Sequence, residues 1–251
     1  MYALGDGFEY RVIAFSSEEK AKKAYEEYRF LTEDVYLYPA RDLLFYYADI
    51  KGKVLTGRRM EVLRALIEKE PGSPLNVITT MDAFLDGISA PDEIRKRRIS
   101  LRSGDELDFS EFQSELSGMG YERESQIEGP GQFAGRGGIL DVFPLTEEMP
   151  VRIELWGDES DSIRTFDVES QRSVENLEQI TIYPASENSG ESSSPVSFLD
   201  YFPKDKSILL LDEPFRLQEE SEKVESEYFH SSENRDEAGL DLQENELKVC
   251  Q

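Results

Sequence analysis

The first 90 residues alternate short apolar runs with helical patterns, and this alternation limits the possible fold more than any other feature of the chain. The runs at 11–15, 34–38 and 76–80 are short and apolar, as buried strands are. The segments 17–31 and 59–69 between them carry apolar residues at helical spacing. The order strand, helix, strand, helix, strand is typical of β-α-β units, so this part predicts an α/β fold with a parallel sheet.

The pattern changes near residue 90, at Ser89-Ala90-Pro91. A short helix is predicted at 108–116, followed by strands that turn residues separate. Their connections are too short for crossovers, so the strands are expected to pair antiparallel. The predicted strands lie at 138–143, 151–156, 162–167 and 180–183.

The remaining part of the chain begins with a polar, Ser-rich stretch, 186–195, that is typical of a linker. A buried strand is predicted at 207–211, and an acidic helix that fades into a tail is predicted from residue 219. The resulting plan has a first domain at 1–90, a second at 91–185, the linker, and a return to the first domain at 196–251.

The charge and the residue composition of the chain disfavour several classes of function. With 28 Lys+Arg against 53 Asp+Glu the net charge is −25, which disfavours autonomous tight binding to DNA. A single cysteine and a single histidine, Cys250 and His230, leave no intrachain disulfide, no Cys/His metal cluster and no Cys-His nucleophile pair, so no metal site is assigned. Carboxylate pairs are explained by the abundance of acids, so no catalytic residue is assigned, and no cofactor is expected. No apolar run is long enough for a membrane span and no secretory signal is visible, so a cytoplasmic protein without membrane contact is expected.

Two segments resemble nucleotide-binding motifs only in part. The glycine-rich run 129–135 leads into a predicted strand rather than a helix, which favours a hairpin bend over a dinucleotide site. Asp212 and Glu213 follow an apolar run as in a Walker B motif. Because the chain has no Gly-x-x-x-x-Gly-Lys-Ser/Thr loop, the preferred interpretation is an acidic strand end.

The arginines are more informative. Alternation along 151–156 places Arg152 and Glu154 on one face of a strand, opposite its apolar residues. If the strands pair in chain order, Arg123, Arg136 and Arg152 converge on one exposed patch suited to a partner's carboxylates. Scattered arginines paired with local acids remain the alternative. For the basic run 95–98, a solvated connector is favoured over a phosphate contact.

The segment 131–144, GQFAGRGGILDVFP, continues through 150–173 as PVRIELWGDESDSIRTFDVESQRS. This pattern resembles the UvrB-homology region of the bacterial transcription-repair coupling factors, the Mfd family. The segments 35–46, 76–83, 198–201 and 211–214 resemble other parts of the same region.

The resemblance implies a truncated, degenerate RecA-like (helicase-like) domain without ATPase activity. It also implies an inserted α+β, mainly antiparallel domain whose surface binds UvrA. Carried over by position, the UvrA contacts are Arg123, Arg136, Phe143, Arg152 and Glu154. In the full-length family RNA polymerase and DNA are further partners, but the motifs of the translocase motor do not occur in this sequence, so a non-catalytic recruitment module is expected.

Two alternatives stay open from the sequence. The chain could be part of an ATP-dependent DNA translocase, with Asp212 and Glu213 as a Walker B remnant and residues 95–98 touching DNA. It could instead be a module that autoinhibits its parent protein, since one surface can face either UvrA or another domain.

Overall fold

The computed structural model describes residues 5–41, 49–187, 195–223 and 226. The chain divides into two compact units. The first takes in Met1–Leu43, Ala65–Ala90 and Ser194–Gln251, and the second takes in Leu44–Arg64 and Pro91–Ser193. The sequence pattern predicts one domain over residues 1–90, whereas Leu44–Arg64 belongs to the second unit.

The first unit is built on a four-stranded sheet in which every pairing is parallel. The strand order is β14-β1-β3-β2, and the two central strands are almost completely buried. The fold class predicted from the alternating pattern is therefore confirmed here. The strands are β1 (Tyr10–Phe15), β2 (Val35–Tyr38), β3 (Leu75–Thr80) and β14 (Ser207–Leu211), and a short helix, α3 (Met81–Leu85), directly follows β3.

Helix α1 (Glu18–Arg29) shows why the predicted helix forms where it does. The Ser17 side chain accepts a hydrogen bond from the Lys20 backbone N–H at 3.4 Å, and acidic residues occupy the first turn. The buried residues Ala21 and Tyr28 then pack with Ile13 of β1, which attaches the helix to the sheet.

The chain returns to the first unit after the Ser-rich stretch. Strand β13 (Val196–Ser197) pairs with β4 (Gly87–Ile88), and a 3₁₀ helix (Phe198–Tyr201) follows. Phe198 stacks on Tyr38 with ring centroids 3.8 Å apart. The Tyr201 hydroxyl donates to the Ser89 carbonyl at 2.6 Å. These contacts build the segment into the core of the unit.

The second unit contains a six-stranded sheet of order β11-β10-β9-β8-β7-β6. Its pairings are antiparallel, as predicted, except that β6 runs parallel to β7. A two-stranded antiparallel sheet of β5 and β12 accompanies it. The elements are α4 (Pro91–Arg97), β5 (Ile99–Arg102), α5 (Phe109–Gly118), β6 (Glu122–Arg123), β7 (Gln132–Arg136), β8 (Ile139–Val142), β9 (Val151–Trp156), β10 (Glu159–Phe166), β11 (Ser173–Leu177) and β12 (Gln179–Ile182).

The core of the second unit lies on one face of the six-stranded sheet. Phe112 and Leu116 of α5 and Ile182 of β12 pack there against sheet residues such as Leu140 and Ile153, all almost fully buried. Each large apolar side chain buried in this way contributes about 1.5–3 kcal/mol. Because this face carries most of the unit's core, the opposite face is left for other roles.

Helix α2 (Asp49–Glu68) begins ten residues before the predicted helix start at residue 59. Its first part contains Gly57, where an added Cβ would lie 3.1 Å from the Leu145 carbonyl oxygen. The helix is also held by an ion pair between Arg64 and Glu147 at 2.6 Å. The first part of α2 was not predicted because glycine has a low helix propensity. Tertiary packing in the second unit stabilises this part of the helix.

The glycine-rich run 129–135 is not the predicted hairpin bend. Strand β7 already begins at Gln132, and the chain reverses at Gly137 and Gly138 between β7 and β8. Both glycines have positive φ, 61° and 81°. This is the backbone that a two-residue turn between antiparallel strands requires, which explains the Gly-Gly pair.

Other differences are local. Residues 214–223 are helical, so the helix predicted from residue 219 begins earlier. Most of the predicted linker, 188–194, and most of the predicted tail lie outside the described residues. Glu187, inside the predicted linker, is buried and paired with Arg59.

Over the described residues, no helix has the length and apolar character needed to cross a membrane.

Candidate functional site

The face of the six-stranded sheet opposite the main core, named here the charged face, carries two rows of side chains that run across the strands. Because directly paired residues share a face, the register defines each row. The first row is Ala134, Asp141, Arg152, Arg164 and Asn176, and the second row is Arg136, Ile139, Glu154 and Ser162.

Arg152 is anchored on this face by Asp141 of the neighbouring strand. Its Nε and Nη2 atoms donate to the two Asp141 carboxylate oxygens at 2.6 and 2.8 Å, and Nη2 also donates to Gln171 Oε1 at 2.8 Å. The guanidinium lies 4.3 Å from the centre of the Phe166 ring. The hydrogen bond to Asp141 raises the pKa of Arg152, against the opposing effect of desolvation. Arg152 is thus fixed in place by the chain itself.

Glu154 is paired with Arg164 of β10, the strand on the other side of β9. Arg164 donates to both Glu154 carboxylate oxygens, through Nη1 at 2.8 Å and through Nη2, and the Ser162 hydroxyl donates at 3.2 Å. The hydrogen bond from Arg164 lowers the pKa of Glu154 below its ordinary value, although burial opposes this. Glu154 is therefore held as an ordered carboxylate.

Arg136 differs from both. It is exposed at the end of β7, next to the Gly137-Gly138 turn. Within the described part of the chain, its guanidinium has no hydrogen-bond or ion-pair partner. In its row only Ile139 separates it from Glu154, a backbone separation of about 10 Å across two strand spacings. The two rows together hold three arginines and two carboxylates, so Arg136 supplies the unmatched positive charge.

Phe143 lies next to this face, but its side chain is buried. It packs with Ile127, Ala134 and Phe166 in a small second core cluster. The clustering indicates that Phe143 supports the sheet beneath Arg152, which stacks on the same Phe166 ring.

Arg123 is not brought to the same place. It is exposed in the edge strand β6, where the parallel register aligns it with Phe133. The Phe133 side chain lies in the main core, so Arg123 is on the opposite side of the sheet from Arg136. The structure thus groups four of the five predicted contact residues and separates Arg123 from them.

Sequence reasoning missed three residues of the charged face. Asp141 and Arg164 complete the ion pairs of Arg152 and Glu154. Trp156 continues the alternation of Arg152 and Glu154 along β9 and is 84% exposed. The period of two in this strand was a usable signal for Trp156. The pairing partners depend on strand register, which the sequence pattern did not fix.

The arginines of the basic run 95–98 form contacts within the chain. In the run 95–98, Arg95 pairs with Asp92 at 2.7 Å, Arg97 donates to the Gly118 carbonyl, and Arg98 donates to the Tyr183 hydroxyl. The run was interpreted as a connector. Its first three residues instead form the end of α4, and Arg98 alone lies between α4 and β5.

The acidic strand end at β14 is also neutralised. Lys20 Nζ lies 2.6 Å from Glu213 and 3.6 Å from Asp212, and Arg216 pairs with Glu213 at 3.0 Å. These pairs hold the pKa of Glu213 below its ordinary value, chiefly through the hydrogen bond from Lys20. In the part of the chain that the structure describes, no group of three metal-ligating side chains lies close enough to hold a metal ion.

Most of the second unit matches a known family of domains. Residues 99–188 match the UvrB interaction domain. The match begins at β5 and ends just after β12, so both rows of the charged face lie within the matched residues.

Individual relatives agree with the family. The chain is 37% identical over 155 residues to the transcription-repair-coupling factor of Staphylococcus aureus (strain bovine RF122 / ET3-1), covering 62% of this chain. It is 39% identical over 155 residues to the transcription-repair-coupling factor of Staphylococcus haemolyticus (strain JCSC1435), covering 61% of this chain. The matched stretch spans 13% of the length of each relative. The resemblance to the UvrB-homology region of the coupling factors is thus confirmed.

Proposed function

We propose that this chain is a recruitment module of transcription-coupled nucleotide excision repair, which binds UvrA through the charged face of its UvrB interaction domain. Bound UvrA would thereby be brought to a stalled transcription complex. In this proposal the chain itself performs no catalysis. RNA polymerase and DNA are contacted by other parts of a longer coupling factor.

The observation that carries the proposal is the state of Arg136. Its guanidinium is exposed and lacks a partner among the described residues, in a chain whose net charge is −25. An arginine of this kind can form a two-point pair with a carboxylate of another protein without first breaking a pair of its own. The partner surface is therefore expected to be acidic where it meets Arg136.

Arg152 and Glu154 take a different part in this proposal. Both already make two-point pairs within the sheet, with Asp141 and Arg164. Their contribution is to hold the face rigid, so that little side-chain freedom is lost when the partner binds. Arg136 makes the new ion pair, and the paired residues provide the shape around it.

The test is a calorimetric titration of UvrA with the wild-type chain and with Arg136→Ala, each at low and at high salt. Loss of a charge-assisted hydrogen bond is expected to weaken binding by about 1–3 kcal/mol. The difference should shrink at high salt, because salt screens exposed charges. Arg102→Ala is the matched control, since Arg102 is an exposed arginine of the same unit that lies on the separate β5–β12 sheet. Unchanged affinity in both Arg136→Ala and Arg152→Ala would remove the proposed site.

A further inference from the structure

The end of strand β9 presents a large apolar side chain to solvent. Trp156 is 84% exposed, and it is the only tryptophan in the chain. Single exposed apolar residues are common on proteins and need no explanation by themselves. What distinguishes Trp156 is that it lies on the charged face, close to the exposed Arg136.

Trp156 and Arg136 stand on the same face around the same turn. Trp156 follows Glu154 by two residues in β9, about 7 Å further along the strand and on the same side. Its neighbour Leu155 donates its backbone N–H to the Gly138 carbonyl at 2.8 Å, which ties this end of β9 to the Gly137-Gly138 turn. Ile139, partly buried, lies between the two strands at this point.

The support beneath Trp156 is stiff. β9 is flanked by two strands, and each flanking strand is joined to it by an ion pair, Asp141–Arg152 on one side and Glu154–Arg164 on the other. A tryptophan on such a strand loses little freedom on binding while burying about 150–250 Å² of its surface. Tryptophan and arginine are also the residue types most enriched among those that dominate binding energy at protein interfaces.

We infer that Trp156 is the apolar anchor of the interface whose charged contact is Arg136, and that the partner offers an apolar pocket with carboxylates on its rim. This inference rests on the proposed binding of UvrA. It goes further by adding a contact residue and by stating the chemistry of the partner surface. An exposed positive charge beside an exposed aromatic ring is complementary to a partner surface that has an apolar cavity with an acidic rim.

The first test compares the affinity of UvrA for Trp156→Ala, Trp156→Phe and Arg136→Ala. Trp156→Ala is expected to weaken binding about ten- to thirty-fold, within the range of interface anchors. Trp156→Phe should lose less than about threefold, because it keeps an aromatic ring. The loss in Trp156→Ala should persist at high salt, whereas the loss in Arg136→Ala should shrink. Phe215→Ala is the control, since Phe215 is 86% exposed but belongs to the first unit, and its affinity should stay within twofold.

The second test observes the residue directly. The chain labelled with 5-fluorotryptophan gives one fluorine resonance, because Trp156 is the only tryptophan. Unlabelled UvrA should shift and broaden that resonance, and Arg136→Ala should require more UvrA for the same change.

The outcomes separate the two claims. If Arg136→Ala weakens binding while Trp156→Ala binds like wild type and the resonance stays unmoved, the anchor is overturned and the proposed function stands. A folded wild-type chain that does not bind UvrA overturns both. Loss of affinity in Trp156→Ala with a shifted resonance establishes the anchor.

Discussion

Arg152 and Asp141 face each other across strands β9 and β8 and are joined by two hydrogen bonds, 2.6 and 2.8 Å long. Both side chains are largely shielded, 15% and 9% exposed. The pair therefore acts as a fixed part of the sheet. Arg152 thus has a structural role, whereas Arg136 on the same face is exposed and has no partner among the described residues.

Asp141→Asn should destabilise the second unit by about 1–3 kcal/mol, because it leaves the Arg152 charge partly buried without its counter-ion. Urea unfolding measures the change. Asp158→Asn is the control, an exposed acid in the β9–β10 turn, and should change stability by less than about 0.5 kcal/mol. Equal effects of the two substitutions would show that the pair contributes nothing.

Glu187 and Arg59 form a more deeply buried pair, 4% and 1% exposed, with Arg59 Nε donating to Glu187 Oε1 at 2.6 Å. Glu187→Gln removes one charge and leaves the other buried, which typically costs about 3–5 kcal/mol. We expect a clear fall in the denaturation midpoint, whereas exposed Glu148→Gln should leave it nearly unchanged. A loss below about 1 kcal/mol in Glu187→Gln would contradict the importance of this pair.

Gly138→Ala tests the turn beside Arg136. At φ of 81° an alanine is strained by about 1–2 kcal/mol, and its Cβ would lie 3.3 Å from the Leu155 carbonyl oxygen. Thermal unfolding should show the loss. Gly129→Ala is a matched control, because that glycine has no heavy atom within 4 Å of the added Cβ and no positive φ. The turn would be shown to tolerate side chains if both variants melted alike.

The Glu154–Arg164 pair predicts a dependence on pH. The pKa of Glu154 in the folded chain lies below the ordinary 4.5, chiefly because Arg164 donates to its carboxylate. Its contribution to stability is therefore fully present above pH 4.5 and is lost as the pH falls through the lowered pKa. Arg164→Gln should reduce this contribution.

Carbon NMR of the Glu154 carboxyl during an acid titration measures the effect. The midpoint should lie below 4.5 in the wild-type chain and should move upward in Arg164→Gln. Glu9 of the first unit serves as the internal reference, because the pKa of its carboxyl is lowered by hydrogen bonds from Lys206 and Lys69, which Arg164→Gln leaves in place. An unmoved Glu154 midpoint would mean that Arg164 does not set its pKa.

Much of the fold follows from local pattern. The period of hydrophobic residues predicted β1, α1, β2 and β3, and the alternation in β9 placed Arg152 and Glu154 on one face. Such elements are predictable because their own residues decide which side is buried. Strand β11 was missed because its residues are nearly all exposed and leave no apolar signal.

The parts that sequence could not provide depend on register between distant segments. Asp141 meets Arg152 only because β8 and β9 pair in one particular alignment across an eight-residue connection. Arg123 lies on the far side because a two-residue edge strand pairs parallel to β7, a contact with no local signature. Phe143 is buried because Phe166, on a strand that is not adjacent, covers it.

Chemical footprinting of the arginines tests the central claim most directly. Phenylglyoxal modifies exposed guanidinium groups, and mass spectrometry reports the rate at each site. With UvrA present, we predict that modification of Arg136 slows markedly while modification of Arg102, on the separate two-stranded sheet, is unchanged. A complex with UvrA in which Arg136 reacts as fast as in the free chain would contradict binding through the charged face.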